Sequence, residues 1–250
     1  MADPPSRCAV LDIEVGANPD AILDAEPRDS QAPFEPSLFR VTRACVLSFT
    51  LGTCAAPYDL RLTSLSRDST EQDLVAKIDR ALPECGDINR IITYNGRSWD
   101  LPMLVQRASA TWCFSVPRIA AWSRAGPDAH VDMMRQGGPR GGRGWASLAD
   151  RAAAIGIDMR FARGKPTGTV AATRRRCSAD CAATFLLYCA HEAVHRGDGA
   201  LFGGAWLALC ALIENDPALM RDLRYFVDHP SLDGCRILAG RTPLMRIQTA

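Results

Sequence analysis

The fold is decided by residues 8–15, which read Cys-Ala-Val-Leu-Asp-Ile-Glu-Val. The run is short, rich in apolar residues and interrupted only by two acids, so it predicts a buried β-strand. Side chains two residues apart on a strand share a face, which places Asp12 and Glu14 together. Carboxylates inside an apolar strand are costly unless a cation compensates them. The alternative interpretation is that Asp12 and Glu14 lie at the end of a strand, where they contact arginines or water.

A second informative stretch, residues 91–104, reads Ile-Ile-Thr-Tyr-Asn-Gly-Arg-Ser-Trp-Asp-Leu-Pro-Met-Leu. It predicts a strand that ends in an Asn95-Gly96 turn, with a helix beginning near Leu101. Asp100 stands at the start of that helix and is a candidate functional acid. A purely structural alternative is that Asp100 caps the helix and Pro102 occupies its first turn. The two roles are compatible.

A third stretch, residues 186–192, reads Leu-Leu-Tyr-Cys-Ala-His-Glu and has a helical pattern. Tyr188 and Glu192 are four residues apart, so they lie on one face of such a helix. The alternative is a partly buried tyrosine that is bonded to a surface glutamate.

Together, the three stretches resemble the motifs of the DEDD superfamily of 3′–5′ exonucleases. They are most similar to its tyrosine subclass and to stand-alone proteins like the proofreading domains of family B DNA polymerases. The first motif, DxE, corresponds to Asp12 and Glu14, and the tyrosine-subclass motif, YCxxD, corresponds to residues 188–192. The turn motif and the intervening family positions correspond to Asn95, Gly96, Trp99, Asp100, Pro102, Leu104, Ser147, Leu148, Gly156, Gly164 and Lys165.

This resemblance spans about residues 8–195 and implies an RNase H-like α/β fold. That fold has a mixed, roughly five-stranded sheet, flanking helices and, here, a helical C-terminal part. The implied activity is metal-dependent 3′–5′ exonucleolytic hydrolysis of DNA or RNA, at what is expected to be a single-stranded 3′ end. The implied catalytic residues are Asp12, Glu14, Asp100, Tyr188 and Glu192.

The four acids of that set would hold two Mg²⁺ or Mn²⁺ ions, which prefer carboxylate oxygens. Asp12 would bridge the ions and Tyr188 would orient the attacking water. The resemblance also implies that Asn95, Trp99 and Lys165 contact the substrate. Glu192 departs from the family pattern, which has aspartate there. A catalytically weakened or inactive relative that only binds nucleic acid is therefore the alternative.

Residues 191–195 also read His-Glu-Ala-Val-His, the HExxH pattern of zinc metallopeptidases. On a helix both histidines would share a face, with Glu192 as general base beside Zn²⁺. Arg196 and Gly197 follow, where the zinc pattern usually continues with an uncharged and then a hydrophobic residue. This second alternative leaves Asp12, Glu14 and Asp100 without a role.

The 250 residues are expected to form one domain, because this length is near the upper end of what one core supports. The exonuclease-like core is placed at about 8–195. Residues 16–37 contain four prolines and many acids and predict a loop or insertion, and residues 196–250 predict a helical extension.

The formal net charge of +1 hides an uneven distribution. Residues 1–36 carry eight acidic and two basic residues, whereas residues 135–176 carry ten basic and two acidic residues. Arginine suits phosphate, so the second segment, including a Gly/Arg loop over 137–144, predicts contact with nucleic acid. Solvated surface arginines are the alternative.

Ten irregularly spaced cysteines without a CxxC pair argue against a secreted disulfide framework. The N-terminal residues lack the pattern of a signal peptide, and no apolar run reaches the length of a membrane span. The sequence therefore predicts a cytoplasmic protein with no membrane partner.

Overall fold

The computed structural model describes residues 5–24, 36–52, 56–86, 89–136, 145–165 and 167–240. Five strands lie within these residues: β1 (Ser6–Ala17), β2 (Phe39–Leu51), β3 (Tyr58–Ser66), β4 (Arg90–Thr93) and β5 (His130–Asp132). The helices are α1 (Pro19–Asp24), α2 (Glu71–Ala81), α3 (Asp100–Ala110), α4 (Pro117–Ser123), α5 (Leu148–Ala154), α6 (Met159–Arg163), α7 (Val170–Arg196), α8 (Gly199–Glu214), α9 (Pro217–Val227) and α10 (Leu232–Ala239). A short 3₁₀-helix at Pro36–Leu38 precedes β2.

The sheet has the strand order β3-β2-β1-β4-β5, with β1 at its centre. β1 pairs antiparallel with β2 and parallel with β4, and β4 pairs parallel with β5. The sheet is therefore mixed and helices flank it, which confirms the predicted α/β class with a mixed five-stranded sheet and a helical C-terminal part.

Alternate residues of β1 enter two different hydrophobic layers. Ala9, Leu11 and Ile13 pack in the layer that contains residues of α2, α3 and α4. Cys8 and Val10 pack in the layer that contains residues of α5–α10. Because the side-chain period of a strand is two, Asp12 and Glu14 continue the second series and face α7.

The long helix α7 runs antiparallel to β1 along this face. The thiol of Cys177 lies 3.6 Å from the carbonyl oxygen of Asp12, and the thiol of Cys181 lies 3.5 Å from that of Val10. Cys177, Cys181 and neighbouring alanines of α7 are completely buried. These small side chains let the helix approach the sheet closely, so its N-terminal half lies beside Asp12.

The structure differs from the predicted loop over 16–37. Residues 16 and 17 complete β1, and Pro19–Asp24 form α1. Residues 25–35 lie outside the described residues, and so does the predicted Gly/Arg loop at 137–144. In the predicted helical extension, α8, α9 and α10 account for residues 199–239 apart from short connections, and 241–250 are not described.

Within the described ranges, none of the helices combines the length and the apolar character that crossing a membrane would require.

Candidate metal centre

Three carboxylates meet where β1 passes α7. Asp12 and Glu14 come from β1 and Asp180 comes from α7, and one carboxylate oxygen of each lies within 4.8 Å of the others. We call these three residues the acidic cluster. Asp12 and Glu14 were predicted to share a face, and the structure brings them together. Asp180 was not among the predicted site residues.

Asp100 approaches the acidic cluster from the opposite layer of the sheet. It is the first residue of α3, and its Oδ1 accepts a hydrogen bond of 3.2 Å from the backbone amide of Ile13, between the two β1 acids. The alternative prediction that Asp100 is the N-cap is wrong, because Trp99 holds that position without a side-chain cap. Asp100 is therefore free of a capping role and directed towards β1.

Burial places these carboxyl groups in an environment that opposes their ionisation. It raises the pKa of Asp12 well above its usual range, and the nearby charges of Asp180, Asp100 and Glu14 raise it further. Burial likewise raises the pKa of Asp100 to about 7, although the Ile13 amide lowers it in part. Ionisation of these carboxyl groups therefore requires positive charge close by.

One oxygen of the acidic cluster has no partner. The Oδ2 atom of Asp12 is buried and accepts no hydrogen bond from any described residue. Buried polar atoms are nearly always satisfied, so an unpaired carboxylate oxygen among other carboxylates is suited to binding a cation. Mg²⁺ and Mn²⁺ both bind carboxylate oxygens, so the residues fit such an ion.

Two arginines already contact the acidic cluster. Arg163 of α6 grips Asp180 with both ends of its guanidinium, with Nε–Oδ1 and Nη2–Oδ2 distances of 2.6 and 2.9 Å. Arg176 of α7 lies 3.1 Å from Glu14, measured from Nε to Oε1. The side chain of Arg163 is mostly buried, whereas that of Arg176 is 55 % exposed.

The structure does not bring Tyr188 and Glu192, two of the predicted site residues, to the acidic cluster. The Tyr188 hydroxyl accepts a 3.1 Å hydrogen bond from Arg90, and Glu192 pairs with Arg196 at 2.8 Å and with Arg90 at 3.9 Å. Glu192 follows Asp180 by twelve residues of one helix, which is about 18 Å at 1.5 Å per residue.

A signal for Asp180 was present in the sequence. Residues 176–180 read Arg-Cys-Ser-Ala-Asp and retain the cysteine and aspartate of the YCxxD motif, with Arg176 in the place of its tyrosine. Residues 188–192 instead retain the tyrosine and cysteine but lose the aspartate. The stretch with the tyrosine ends at Glu192, more than three helical turns from Asp180.

The HExxH residues do not assemble a zinc site. The rings of His191 and His195 stack edge to face with centroids 4.2 Å apart, and Glu192 is held by arginines. Over the residues that the structure describes, the acidic cluster is the one group of three or more histidine, cysteine or acidic side chains close enough to share an ion.

The Asn95-Gly96 turn connects β4 to α3 and is shaped by close contacts. Asn95 adopts a left-handed conformation with φ of 69°, and its amide donates to the carboxylate of Asp132 at 2.8 Å. The amide of Arg97 donates to the same carboxylate at 3.2 Å. Asp132 thus holds the turn that positions Asp100. Trp99 is partly buried against the neighbouring core.

A groove of about 820 Å³ opens beside Glu14. Five basic residues line it: Arg43, Arg160, Arg163, Lys165 and Arg176. Lys165, one of the predicted substrate contacts, is exposed there. A cavity that carries five basic residues and meets the acidic cluster at Glu14 can accept a polyanion and present it to a bound cation.

No family model and no curated protein sequence matches the chain. Solved structures that match include a family B DNA polymerase from the hyperthermophilic archaeon Pyrobaculum calidifontis. The TM-score is 0.45 and the identity is 18%, and the match covers 88% of this chain and 27% of the polymerase. They also include Escherichia coli exonuclease I in complex with a dA16 oligonucleotide (TM-score 0.40, 16% identity, 83% and 46% coverage). Exonuclease I in complex with the inhibitor BCBP gives a TM-score of 0.36 and 14% identity, with 84% and 47% coverage. The chain thus spans about a quarter to a half of the length of these proteins.

Proposed function

We propose that this protein is a metal-dependent 3′–5′ exonuclease acting on single-stranded ends of DNA or RNA. The observation that carries the proposal is the acidic cluster, with the buried and unpartnered oxygen of Asp12 beside a basic groove. Polarity and strandedness come from the motif resemblance alone.

Asp12, Glu14, Asp180 and Asp100 are the residues that would hold Mg²⁺ or Mn²⁺. When bound, such an ion supplies Lewis acidity and neutralises the negative charge that develops on the scissile phosphate. The resemblance implies two ions of this kind.

Other residues of this chain would bind and orient the substrate. Lys165 and Arg160 line the groove with exposed cationic side chains, which suits contact with backbone phosphates. Asn95 and Trp99 flank the turn that leads to Asp100, and we assign them to the pocket of the terminal nucleotide. Trp99 offers a ring on which a base can stack.

Tyr188 and Glu192 have no catalytic part in this proposal, because both are engaged by Arg90. This also changes the case for a relative that binds without cutting. That alternative was based on a glutamate in place of the fourth aspartate, and Asp180 now supplies an aspartate at the cluster.

The test compares two acids of the same helix. Oligonucleotides of DNA and RNA, labelled at the 3′ or 5′ end, are incubated with Mg²⁺ or Mn²⁺ and the purified protein. We expect stepwise shortening from the 3′ end, at least about a hundredfold loss of rate in Asp180→Asn, and a rate close to the original in Glu192→Gln.

The converse pattern, with Glu192→Gln inactive and Asp180→Asn active, would contradict the assignment of the cluster. Absence of cleavage by the unmodified protein with every substrate and either ion would contradict the nuclease function itself. Circular dichroism of each variant shows whether a loss of rate comes from unfolding.

A further inference from the structure

The acidic cluster differs from a site made only of carboxylates, because two guanidinium groups are built into it. Arg163 makes a bidentate contact with Asp180, the strongest common geometry between these groups. Arg176 contacts Glu14 on the other side. Both side chains carry a fixed positive charge, since arginine is not deprotonated in proteins.

The charges of the site then balance in a particular way. Four carboxylates lie at the site, three in the acidic cluster and the fourth on Asp100: Asp12, Glu14, Asp180 and Asp100. Two guanidiniums contact them directly. When all four acids are ionised, their four negative charges and the two positive charges of the arginines leave two negative charges. A single divalent cation neutralises these.

The contacts also favour one position for such a cation. Both oxygens of Asp180 are occupied by Arg163, and Oε1 of Glu14 is occupied by Arg176. The buried oxygen without a hydrogen-bond partner belongs to Asp12, and the carboxylate of Asp12 comes within 4.8 Å of the carboxylates of both paired acids. A second cation would have to displace an arginine or bind the same carboxylate oxygens as that arginine. In the second case the cation and the guanidinium would lie close together and repel each other strongly.

Resting on the proposed function, we propose that Arg163 and Arg176 take the part of one of two cations, so that the acidic cluster binds one divalent ion per chain, centred on Asp12. The two arginines are positioning residues for the acids, and Arg176 stands where the YCxxD motif has its tyrosine. A site of this kind would act on a phosphodiester with one metal ion and a fixed positive charge.

The test measures Mn²⁺ stoichiometry, which does not depend on activity. Free Mn²⁺ is quantified by electron paramagnetic resonance during titration of the full chain, and isothermal calorimetry gives the affinity. We expect one ion per chain in the unmodified protein. Two ions per chain would overturn the inference, and no binding would overturn both the inference and the proposed function.

Two arginine variants test whether the guanidinium groups take the place of a second cation. In Arg176→Gln, which alters a half-exposed side chain, the loss of a competing positive charge should tighten Mn²⁺ binding about tenfold. In the double variant Arg163→Gln/Arg176→Gln a second ion should bind, with spin coupling between the two Mn²⁺ ions in the spectrum. Unchanged affinity in the single variant, or one ion in a folded double variant, would overturn the inference.

Arg224→Gln is the matched control. It also removes one arginine charge, but Arg224 lies on α9, is 70 % exposed and pairs with Asp228. Its Mn²⁺ affinity and stoichiometry should match the unmodified protein. Failure of the one-ion inference can be distinguished from failure of the proposed nuclease function. Cleavage with two bound ions would contradict only the inference, whereas one bound ion without cleavage would contradict only the nuclease function.

Discussion

Asp100 shows how folding changes the chemistry of one side chain. Its residue is 4 % exposed, and burial raises its pKa to about 7 while Asp132 and Glu14 add to the rise. Because the folded state holds this proton more tightly than the unfolded state, it binds more protons between about pH 4 and pH 7. In the absence of metal, the free energy of unfolding therefore falls as pH rises through that window.

We predict that Asp100→Asn stabilises the metal-free protein at high pH. The amide keeps an oxygen that can accept from Ile13 but carries no charge, so the free energy of unfolding at pH 8 should rise by on the order of 3 kcal/mol. The gain should shrink as pH falls towards 4.5. Urea unfolding at several pH values in a chelator measures this.

Asp233→Asn is the control, because Asp233 is exposed. It should change stability by less than about 0.5 kcal/mol at every pH. A gain in Asp100→Asn that is equal at pH 4.5 and pH 8 would show that ionisation of Asp100 is not its cause.

At the scale of an element, the turn between β4 and α3 decides where Asp100 lies. A Cβ atom at Gly96 would come within 2.4 Å of the Cβ atom of Thr93. Thr93 cannot easily move, since it is fully buried and its hydroxyl lies 2.8 Å from Nε2 of His130. The glycine is thus required by close packing inside the turn.

We predict that Gly96→Ala lowers the free energy of unfolding by about 1–3 kcal/mol, because the turn must shift to accept the methyl group. Mn²⁺ affinity should also fall, since Asp100 moves with the start of α3. Thermal and urea unfolding measure the first effect, and calorimetry measures the second.

Gly234→Ala provides a comparison within the same protein. Gly234 is inside α10, and nothing lies within 4 Å of the place where its Cβ would be. Alanine should therefore stabilise the protein by about 0.5–1 kcal/mol. Equal effects of the two substitutions would contradict the close contact at Gly96.

At the scale of the whole molecule, folding brings regions of opposite charge together. Asp12 and Glu14 come from the acid-rich N-terminal part, and the segment 145–176 supplies most of the basic groove beside them. A net charge of +1 therefore describes a molecule in which the acidic cluster and a groove with five basic residues are adjacent.

We predict that oligonucleotide binding, measured by fluorescence anisotropy with Ca²⁺ in place of a catalytic ion, weakens with rising salt. Each phosphate contact in a single strand contributes about 0.7 to the slope of log affinity against log salt. Lys165→Gln should lower the slope by about that amount, and Arg224→Gln on α9 should leave it unchanged. A slope that is the same in Lys165→Gln would remove Lys165 from the interface.

Much of the fold and half of the site follow from local sequence. The strand at 8–15 carries its acids at a spacing of two, and the turn at Asn95 leads into a helix, so Asp12, Glu14 and Asp100 could be named in advance. Lys165 could be named as a candidate substrate contact because it matches the family's Gly-Lys loop and lies in a basic segment that is continuous in sequence. These features depend on neighbours along the chain, which periodicity and turn chemistry describe.

The fourth acid was decided only by the tertiary structure. Helical periodicity says which residues of α7 share a face. It does not say which of the two acids of this helix, Asp180 or Glu192, belongs to the site. Nor does it say which turn of a 27-residue helix lies against Asp12. That depends on the direction and register in which α7 packs on β1, which are set by buried small residues such as Cys177 and Cys181 against the strand. The contacts of Arg163 and Arg176 arise from the same packing, because they join α6, α7 and β1 across long stretches of sequence.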